Sequence, residues 1–98
     1  MGGQRMIYKN GTFEGMASDI LSNNSKIIIF GTGVVGTTVA IDILRQYNLL
    51  QYVECYIDND RTKWGTGYTV YNEHIRVCSP DILNELKGNI TIIIAITR

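Results

Sequence analysis

The sequence predicts a three-layer α/β fold in which a parallel sheet of strand order 2-1-3 is covered by helices on both faces. Three short apolar runs rich in isoleucine and valine are separated by stretches with helical periodicity, and strands joined by helices form parallel sheets with right-handed crossovers. The runs are apolar at nearly every position, which is typical of strands buried on both faces. The predicted strands are residues 26–30, 53–57 and 90–96.

The N-terminal segment is predicted to contain one helix. The first eleven residues are expected to be irregular or to form a short extended piece. Apolar residues then recur at helical spacing, which predicts an amphipathic helix over residues 12–22. We therefore divide the chain into an N-terminal segment, residues 1–25, and a domain of residues 26–98. The apolar face of the helix comprises Phe13, Met16, Ala17, Ile20 and Leu21.

The middle of the chain is predicted to contain a helix, a strand and a hairpin. No proline interrupts a helical pattern of apolar residues that runs from Val34 to about Tyr47. The strand of residues 53–57 ends at the polar sequence "DND", and a turn-rich loop follows it. Two short runs, residues 68–70 and 75–77, are expected to pair as a hairpin.

A third helix is predicted from its start and stop signals. Ser79 is placed to cap free N–H groups, Pro80 suits the first helical position, and Asp81 complements the helix dipole. Gly88 is the expected stop. The apolar positions between these signals are Ile82, Leu83 and Leu86.

The third predicted strand, residues 90–96, leaves a sheet edge to be covered. In strand order 2-1-3 it lies at an edge, and its sequence "ITIIIAI" has no charge or proline to discourage pairing. We therefore expect a homo-oligomer that buries residues 90–97, or a downstream domain that supplies the next strand. The alternative is that the N-terminal segment or the hairpin folds over this edge.

Composition narrows the classes of function. The chain has 98 residues with nine basic and nine acidic ones, so it suits one small domain and has no basic stripe for nucleic acid. No apolar run approaches the roughly 20 residues of a membrane span, and the N-terminus lacks a secretory signal. We expect a cytoplasmic protein without nucleic-acid or membrane partners. Cys55 and Cys78 match no metal or redox spacing and are expected to be packing residues rather than a disulfide.

The most informative motif is the glycine turn within "IIIFGTGVVG". Gly31 lets the chain leave the strand in a tight turn, Gly33 lets the backbone approach a phosphate, and Gly36 lets the helix pack closely on the sheet. The helix N-terminus then offers free N–H groups to an anion. Because the motif lies between a predicted strand and a predicted helix, it favours nucleotide binding. The alternative is that the glycines serve packing alone.

An acidic residue follows at the spacing expected of such a site. Asp58 ends the second strand, 22 residues after Gly36, where a carboxylate is placed to bond both hydroxyls of a ribose. No basic residue directly follows it, which favours NAD over NADP if the ligand is a dinucleotide. The alternative is that Asp58 caps the local turn with Asn59 and Asp60. The apolar end of the first strand, at Phe30, argues against S-adenosylmethionine at this turn.

Four stretches together resemble a small Rossmann-like domain of bacterial sugar metabolism: "IIIFGTGVVG", "YIDNDRTKWG", "VCSPDIL" and "IIIAIT". That domain occurs beside or within glycosyltransferases, sugar methyltransferases and polysaccharide-biosynthesis dehydratases. It is also similar to the N-terminal nucleotide-sugar-binding domain of bacterial sugar acyltransferases. The resemblance covers residues 26–97. Members of the family normally continue past the third strand, whereas this chain stops at Arg98.

The resemblance implies a ligand and the residues that bind it. The ligand would be NAD or a nucleotide-sugar, with its diphosphate beside the glycine turn and its ribose or base near Asp58 and Asn59. The sequence thus predicts a nucleotide-binding module linked to sugar or polysaccharide metabolism. The predicted binding residues are Gly31, Thr32, Gly33, Val34, Val35, Gly36, Asp58 and Asn59.

The remaining polar residues offer weaker chemistry. Lys63 and Trp64 lie in the loop after the acidic cluster, and Trp64 is expected to cover the sheet rather than stack on a base. Asp58 and Asp60 lack a third metal ligand, and His74 is expected to be solvated at the hairpin tip. We predict no catalytic residue and no metal site. The alternatives are a fragment of an NAD-dependent oxidoreductase or epimerase, and an assembly module that binds no nucleotide.

Overall fold

The computed structural model describes residues 5–9 and 15–95. Within these residues the chain forms six β-strands and two α-helices, together with short 3-10 and π-helical segments. The strands are β1 (Arg5–Lys9), β2 (Lys26–Phe30), β3 (Val53–Ile57), β4 (Gly67–Val70), β5 (Glu73–Cys78) and β6 (Ile90–Ile94), and the helices are α1 (Met16–Asn23) and α2 (Ala40–Gln46).

The strands form one mixed sheet, and the predicted parallel sheet of strand order 2-1-3 is wrong. The observed order is β1-β6-β2-β3-β5-β4. Strand β5 lies parallel to β3, and β4 joins it antiparallel. The predicted pairing of residues 68–70 with 75–77 is confirmed, and the hairpin also extends the sheet, which the predicted strand order did not include. The three predicted strands do lie side by side, with β2 between β6 and β3.

Helices on both faces were also expected, whereas α1 and α2 lie on the same face. Buried residues of both helices pack with Ile27 and Ile29 of β2. The crossovers from β1 to β2 and from β2 to β3 advance in the same direction across the sheet. Right-handed crossovers, the rule for parallel strands, then place both helices on one face. The chain returns to β6 across the opposite face, where Ile28 packs against Ile82 and Leu83.

The segment that covers the opposite face is not the α-helix predicted there. Only Pro80–Asn84 is helical, and it is a 3-10 helix. Its start is confirmed as predicted, since the Ser79 side chain accepts a hydrogen bond from the Asp81 N–H at 3.2 Å. Gly88 follows with a φ of 86°. The described residues therefore place both α-helices on one face of the sheet, whereas the opposite face is covered by the short 3-10 segment and its neighbours.

Strand β6 is paired on both sides, so the prediction of an open edge there is wrong. Its register aligns Ile90 with Arg5 of β1 and with Lys26 of β2. The N-terminal segment supplies the missing neighbour, which was the alternative explanation for this edge. The homo-oligomer that buries residues 90–97 was expected because this strand had an open edge, and β6 has none. Residues 96–97 lie outside the described part of the chain.

The first predicted helix begins later than expected. Helix α1 starts at Met16, after Gly15 in a left-handed conformation, and buries Met16 and Ile20. Leu21, assigned to its apolar face, is 58% exposed. Phe13 lies outside the described residues.

The hairpin turn shows why β4 and β5 pair in their observed register. Tyr71 and Asn72 both have positive φ, 47° and 72°, as the tightest two-residue hairpin turns require. His74 is exposed and lies on β5 opposite Thr69 rather than at the tip. Among the described residues, no helix has the length and apolar character needed to span a bilayer.

Candidate functional site

The glycine turn lies at the carboxyl end of β2, in the middle of the sheet. Gly31 has a φ of 113°, a conformation that residues with a Cβ rarely adopt. Its N–H donates to the Ile57 carbonyl at 2.9 Å, and the Ala95 N–H donates to the Phe30 carbonyl at the same distance. The turn is therefore held between the ends of the two neighbouring strands, β3 and β6.

The other two glycines of the motif have different surroundings. A Cβ on Gly36 would lie 2.1 Å from the Gly31 carbonyl oxygen, whereas a Cβ on Gly33 would meet no atom within 4 Å. Gly36 is thus required for close contact between helix and turn. Gly33 borders open space, which is the arrangement expected where a ligand approaches the backbone.

The helix after the turn begins with a π-helical segment, Val35–Val39, which continues directly into α2. Inside this segment the Gly36 carbonyl accepts a hydrogen bond from the buried Tyr56 hydroxyl at 3.0 Å. Tyr56 belongs to β3, so this bond ties the start of the helix to the sheet. Such π-helical turns within helices occur frequently at functional sites.

We expect Tyr56→Phe to lower the free energy of unfolding by about 1–2 kcal/mol, because it removes the donor to a buried carbonyl. Equilibrium denaturation measures the loss. Tyr68→Phe is a matched control. The Tyr68 ring makes an edge-on contact with the Tyr56 ring, but the Tyr68 hydroxyl has no hydrogen-bond partner among the residues described. Equal losses in the two variants would contradict a role for the Tyr56 hydroxyl.

The carboxylate of Asp58 is bound to the glycine turn. Its Oδ2 accepts hydrogen bonds from the Thr32 N–H at 3.1 Å and from the Thr32 hydroxyl at 2.7 Å. Its Oδ1 accepts from the Asp60 N–H at 2.8 Å. The predicted local capping of the turn by Asp58 is thus present, and Thr32 is a second partner that contributes two hydrogen bonds.

A lysine completes this polar cluster. The Lys63 ammonium donates to the Thr32 hydroxyl at 3.0 Å and lies 4.0 Å from Oδ2 of Asp58. Burial raises the pKa of Asp58, but the hydrogen bonds from Asp60 and Thr32, with the charge of Lys63, outweigh it and hold the pKa below its usual value of 3.8. Asp58 is therefore ionised at neutral pH. The sequence analysis favoured NAD over NADP because no basic residue directly follows Asp58. It did not consider Lys63, which lies five positions later in the chain and close to Asp58 in the fold.

A cavity of about 230 Å³ opens at the carboxyl ends of β2, β3 and β6. It brings together five of the eight predicted binding residues, and two more line it that the sequence did not indicate. Ligands of open α/β sheets bind outside the carboxyl ends of the strands. The predicted residues in the lining are Gly31, Thr32, Gly33, Asp58 and Asn59, and the additional ones are Phe30 and Ala95.

Three predicted residues, Val34, Val35 and Gly36, do not line the cavity. Their part of the backbone begins the helix beside it. In the described part of the chain, the N–H groups of Gly33, Val34 and Val35 donate to no protein acceptor. By contrast, the N–H groups of Gly31 and Thr32 are already used. The donors that remain for an anion are those of the helix start.

The other candidates of the sequence lie away from the cavity. Trp64 packs against the core and donates its indole N–H to the Asp58 carbonyl at 2.7 Å, so it fastens the loop after β3 to the core. Cys55 is buried and Cys78 partly buried, and neither forms a disulfide. Burial, assisted by the neighbouring Cys78, raises the pKa of Cys55 to about 12. That thiol is protonated at neutral pH and is not an activated nucleophile.

A second hollow, of about 480 Å³, lies where α2 meets the β4–β5 turn. The Tyr71 hydroxyl donates to Asp42 at 2.9 Å, and the Arg45 guanidinium lies 4.2 Å from the centre of the Tyr71 ring. These side chains use their polar groups on one another. We therefore interpret the hollow as part of a contact that fastens the hairpin to α2.

No protein-family model, no curated protein and no solved structure matches this chain. The class defined by the fold and the site is a small α/β domain with a mixed sheet and a glycine-bordered cavity at the carboxyl ends of its central strands.

Proposed function

We propose that this protein is a nucleotide- or nucleotide-sugar-binding module. The observation on which the proposal depends is the juxtaposition of two features at one end of the sheet. The cavity beside β2 is bordered by Gly33, whose missing side chain leaves open space. Next to it, at the start of a helix, are three N–H groups that have no acceptor within residues 5–9 and 15–95.

The electrostatics of the site support an anionic group with neutral hydrogen-bonding parts. A diphosphate would lie against the N–H groups of Gly33, Val34 and Val35, where the partial positive charge of the helix start favours it. The ribose would extend toward the β3 end, away from the helix. Asp58 keeps a phosphate from that side by charge repulsion, although Lys63 reduces the repulsion.

The wider setting of the proposal depends on the sequence resemblance alone. We propose NAD or a nucleotide-sugar as the ligand, a link to sugar or polysaccharide metabolism, and a cytoplasmic location. We propose no reaction for the chain by itself. A fragment of an NAD-dependent oxidoreductase or epimerase would use the same site for its cofactor. An assembly module without a ligand is the outcome that the binding experiment distinguishes.

We expect NAD or a UDP-sugar to raise the melting temperature of the protein. A ligand present at 100 times its Kd stabilises the folded state by about 2.7 kcal/mol, which for a domain of this size corresponds to a shift on the order of 10 °C. A thermal-shift panel of NAD, NADP, UDP-sugars, coenzyme A and S-adenosylmethionine measures this effect. No shift with any nucleotide at millimolar concentration would contradict the proposal.

The matched variant for this experiment is Gly33→Val. A Cβ added at Gly33 meets no atom of the described residues within 4 Å, so the variant should melt close to the wild type. The valine occupies the space through which a phosphate would reach the backbone, so the ligand-induced shift should disappear. A shift of wild-type size in Gly33→Val would show that the ligand binds elsewhere.

A further inference from the structure

We infer that Asn59, rather than Asp58, contacts the ribose of the bound nucleotide, and that Asp58 is a positioning residue for the glycine turn. This inference rests on the proposed function. The sequence assigned the ribose hydroxyls to Asp58, and the resemblance placed Asn59 near the ribose or base. Three observations support the division: the hydrogen bonds of Asp58, the availability of Asn59, and the size of the cavity.

The carboxylate of Asp58 has little capacity left for a ligand. A carboxylate oxygen offers about two acceptor sites, and both sites of Oδ2 are used by the N–H and hydroxyl of Thr32. Oδ1 already accepts from the Asp60 N–H. To bind both hydroxyls of a ribose, each with one oxygen, Asp58 would have to release Thr32 and with it the glycine turn.

The side chain of Asn59 is free to bind. It lines the cavity and is exposed, and within residues 5–9 and 15–95 it has no hydrogen-bond partner. Its amide offers two donors and one acceptor oxygen, which match hydroxyl groups that both donate and accept. Being neutral, it pairs with a hydroxyl without the charge that Asp58 would bring.

The size of the cavity indicates which part of a nucleotide lies beside Asn59. Its volume of about 230 Å³ is below the roughly 300–1,000 Å³ of sites that enclose a drug-sized ligand. The enclosed part is therefore a fragment, and in ADP and UDP the fragment attached directly to a phosphate is the ribose. With the phosphate at Gly33, the ribose occupies the cavity toward Asn59 and the base extends outside.

The test combines variants of the protein with ribose analogues. ADP and UDP are titrated by calorimetry into the wild type, Asn59→Ala, Asp58→Asn and Asn84→Ala, together with their 2′,3′-dideoxy forms. Asn84 is exposed on the 3-10 helix and does not line the cavity. We expect Asn59→Ala to weaken binding on the order of tenfold without a change in melting temperature, and Asn84→Ala to bind as the wild type.

The dideoxy nucleotides isolate the contact. They should bind the wild type about tenfold more weakly than the parent nucleotides, and Asn59→Ala should no longer distinguish the two forms, because the hydroxyl partner is already absent. A merely structural role for Asn59 would lower the melting temperature and preserve this discrimination. Asp58→Asn should lower the melting temperature while the discrimination between ribose and dideoxyribose persists.

The outcomes separate the inference from the proposed function. If neither ADP nor UDP binds the wild type, the proposed function fails and the inference with it. If the wild type binds and prefers the ribose forms, but Asn59→Ala keeps the preference and Asp58→Asn loses it, the inference alone is overturned.

Discussion

Replacing Gly36 by valine is expected to lower the free energy of unfolding by about 3 kcal/mol or more, because the new side chain cannot be accommodated. A Cβ at this position would lie 2.1 Å from the Gly31 carbonyl oxygen and 3.5 Å from the Ala95 side chain. The nearest obstacle is backbone, so a rotamer change cannot relieve the contact. The helix must move away from the turn, which also strains the bond from Tyr56 to the Gly36 carbonyl.

Thermal or urea denaturation measures this loss, with a fall in melting temperature of more than about 10 °C for a domain of this size. Gly33→Val is the control, because the same substitution three positions earlier meets open space. The two variants separate the packing function of one glycine from the ligand-facing role proposed for the other. Equal melting temperatures for both would contradict the assignment.

Replacing Asp58 by alanine is expected to cost about 2 kcal/mol of stability at neutral pH. The change leaves the N–H and hydroxyl of Thr32 and the Asp60 N–H without their acceptor. Each hydrogen bond to an ionised acceptor contributes more than a neutral one, but the side chain is 16% exposed and water replaces part of the loss. Asn59→Ala, at the neighbouring position without such bonds, should leave the stability unchanged.

The pH dependence of this loss follows from the lowered pKa of Asp58. In the unfolded chain the carboxyl titrates near its usual value of 3.8, and in the folded protein it titrates lower. The stabilisation is therefore fully present above about pH 5 and is lost as the pH falls through the folded-state pKa. The stability difference between wild type and Asp58→Ala should be full at pH 7 and should shrink as the pH falls below 3.8. A constant difference over this range would mean that the charge of Asp58 is not involved.

The strands of the sheet were predictable where burial is complete. Residues Ile27–Ile29 of β2 are inaccessible to solvent, and an unbroken apolar run of this kind is the direct result of burial on two faces. Strand β5 has the alternating pattern of a strand with one buried face, with Ile75 and Val77 buried and Arg76 exposed. That pattern predicts a strand but does not say which edge the strand will join.

The order of the strands could not be derived because it depends on contacts distant in sequence. Strand β5 pairs with β3 across an intervening loop and β4. Strand β1 pairs with β6, from which it is separated by most of the chain. Nothing in the sequence of Arg5–Lys9 identifies its partner. The absence of an α-helix at Pro80–Asn84 is a related case. Its start signals are present and used, but the 3-10 segment has only five residues, and Ile82 and Leu83 pack against the sheet.

The candidate site was predictable in outline and not in detail. The roles of Gly31 and Gly36 follow from the motif, since a tight turn and a close helix contact have fixed backbone requirements. The bonds between Thr32 and Asp58 were missed because Thr32 occupies a variable position of the motif. They depend on the register that pairs Phe30 with Ile57, which brings the residues following each strand together.

The most direct test of nucleotide binding is the change of backbone amide signals in NMR spectra as UDP, ADP or NAD is added to the full chain. Binding at the cavity predicts the largest shifts at the N–H groups of Gly33, Val34 and Val35, with smaller ones at Asn59 and Ala95 on the facing strand ends. These shifts should saturate and should be absent in Gly33→Val. If millimolar nucleotide leaves these amides unchanged, or shifts only residues around Arg45 and Tyr71, the glycine turn of this protein does not bind a nucleotide.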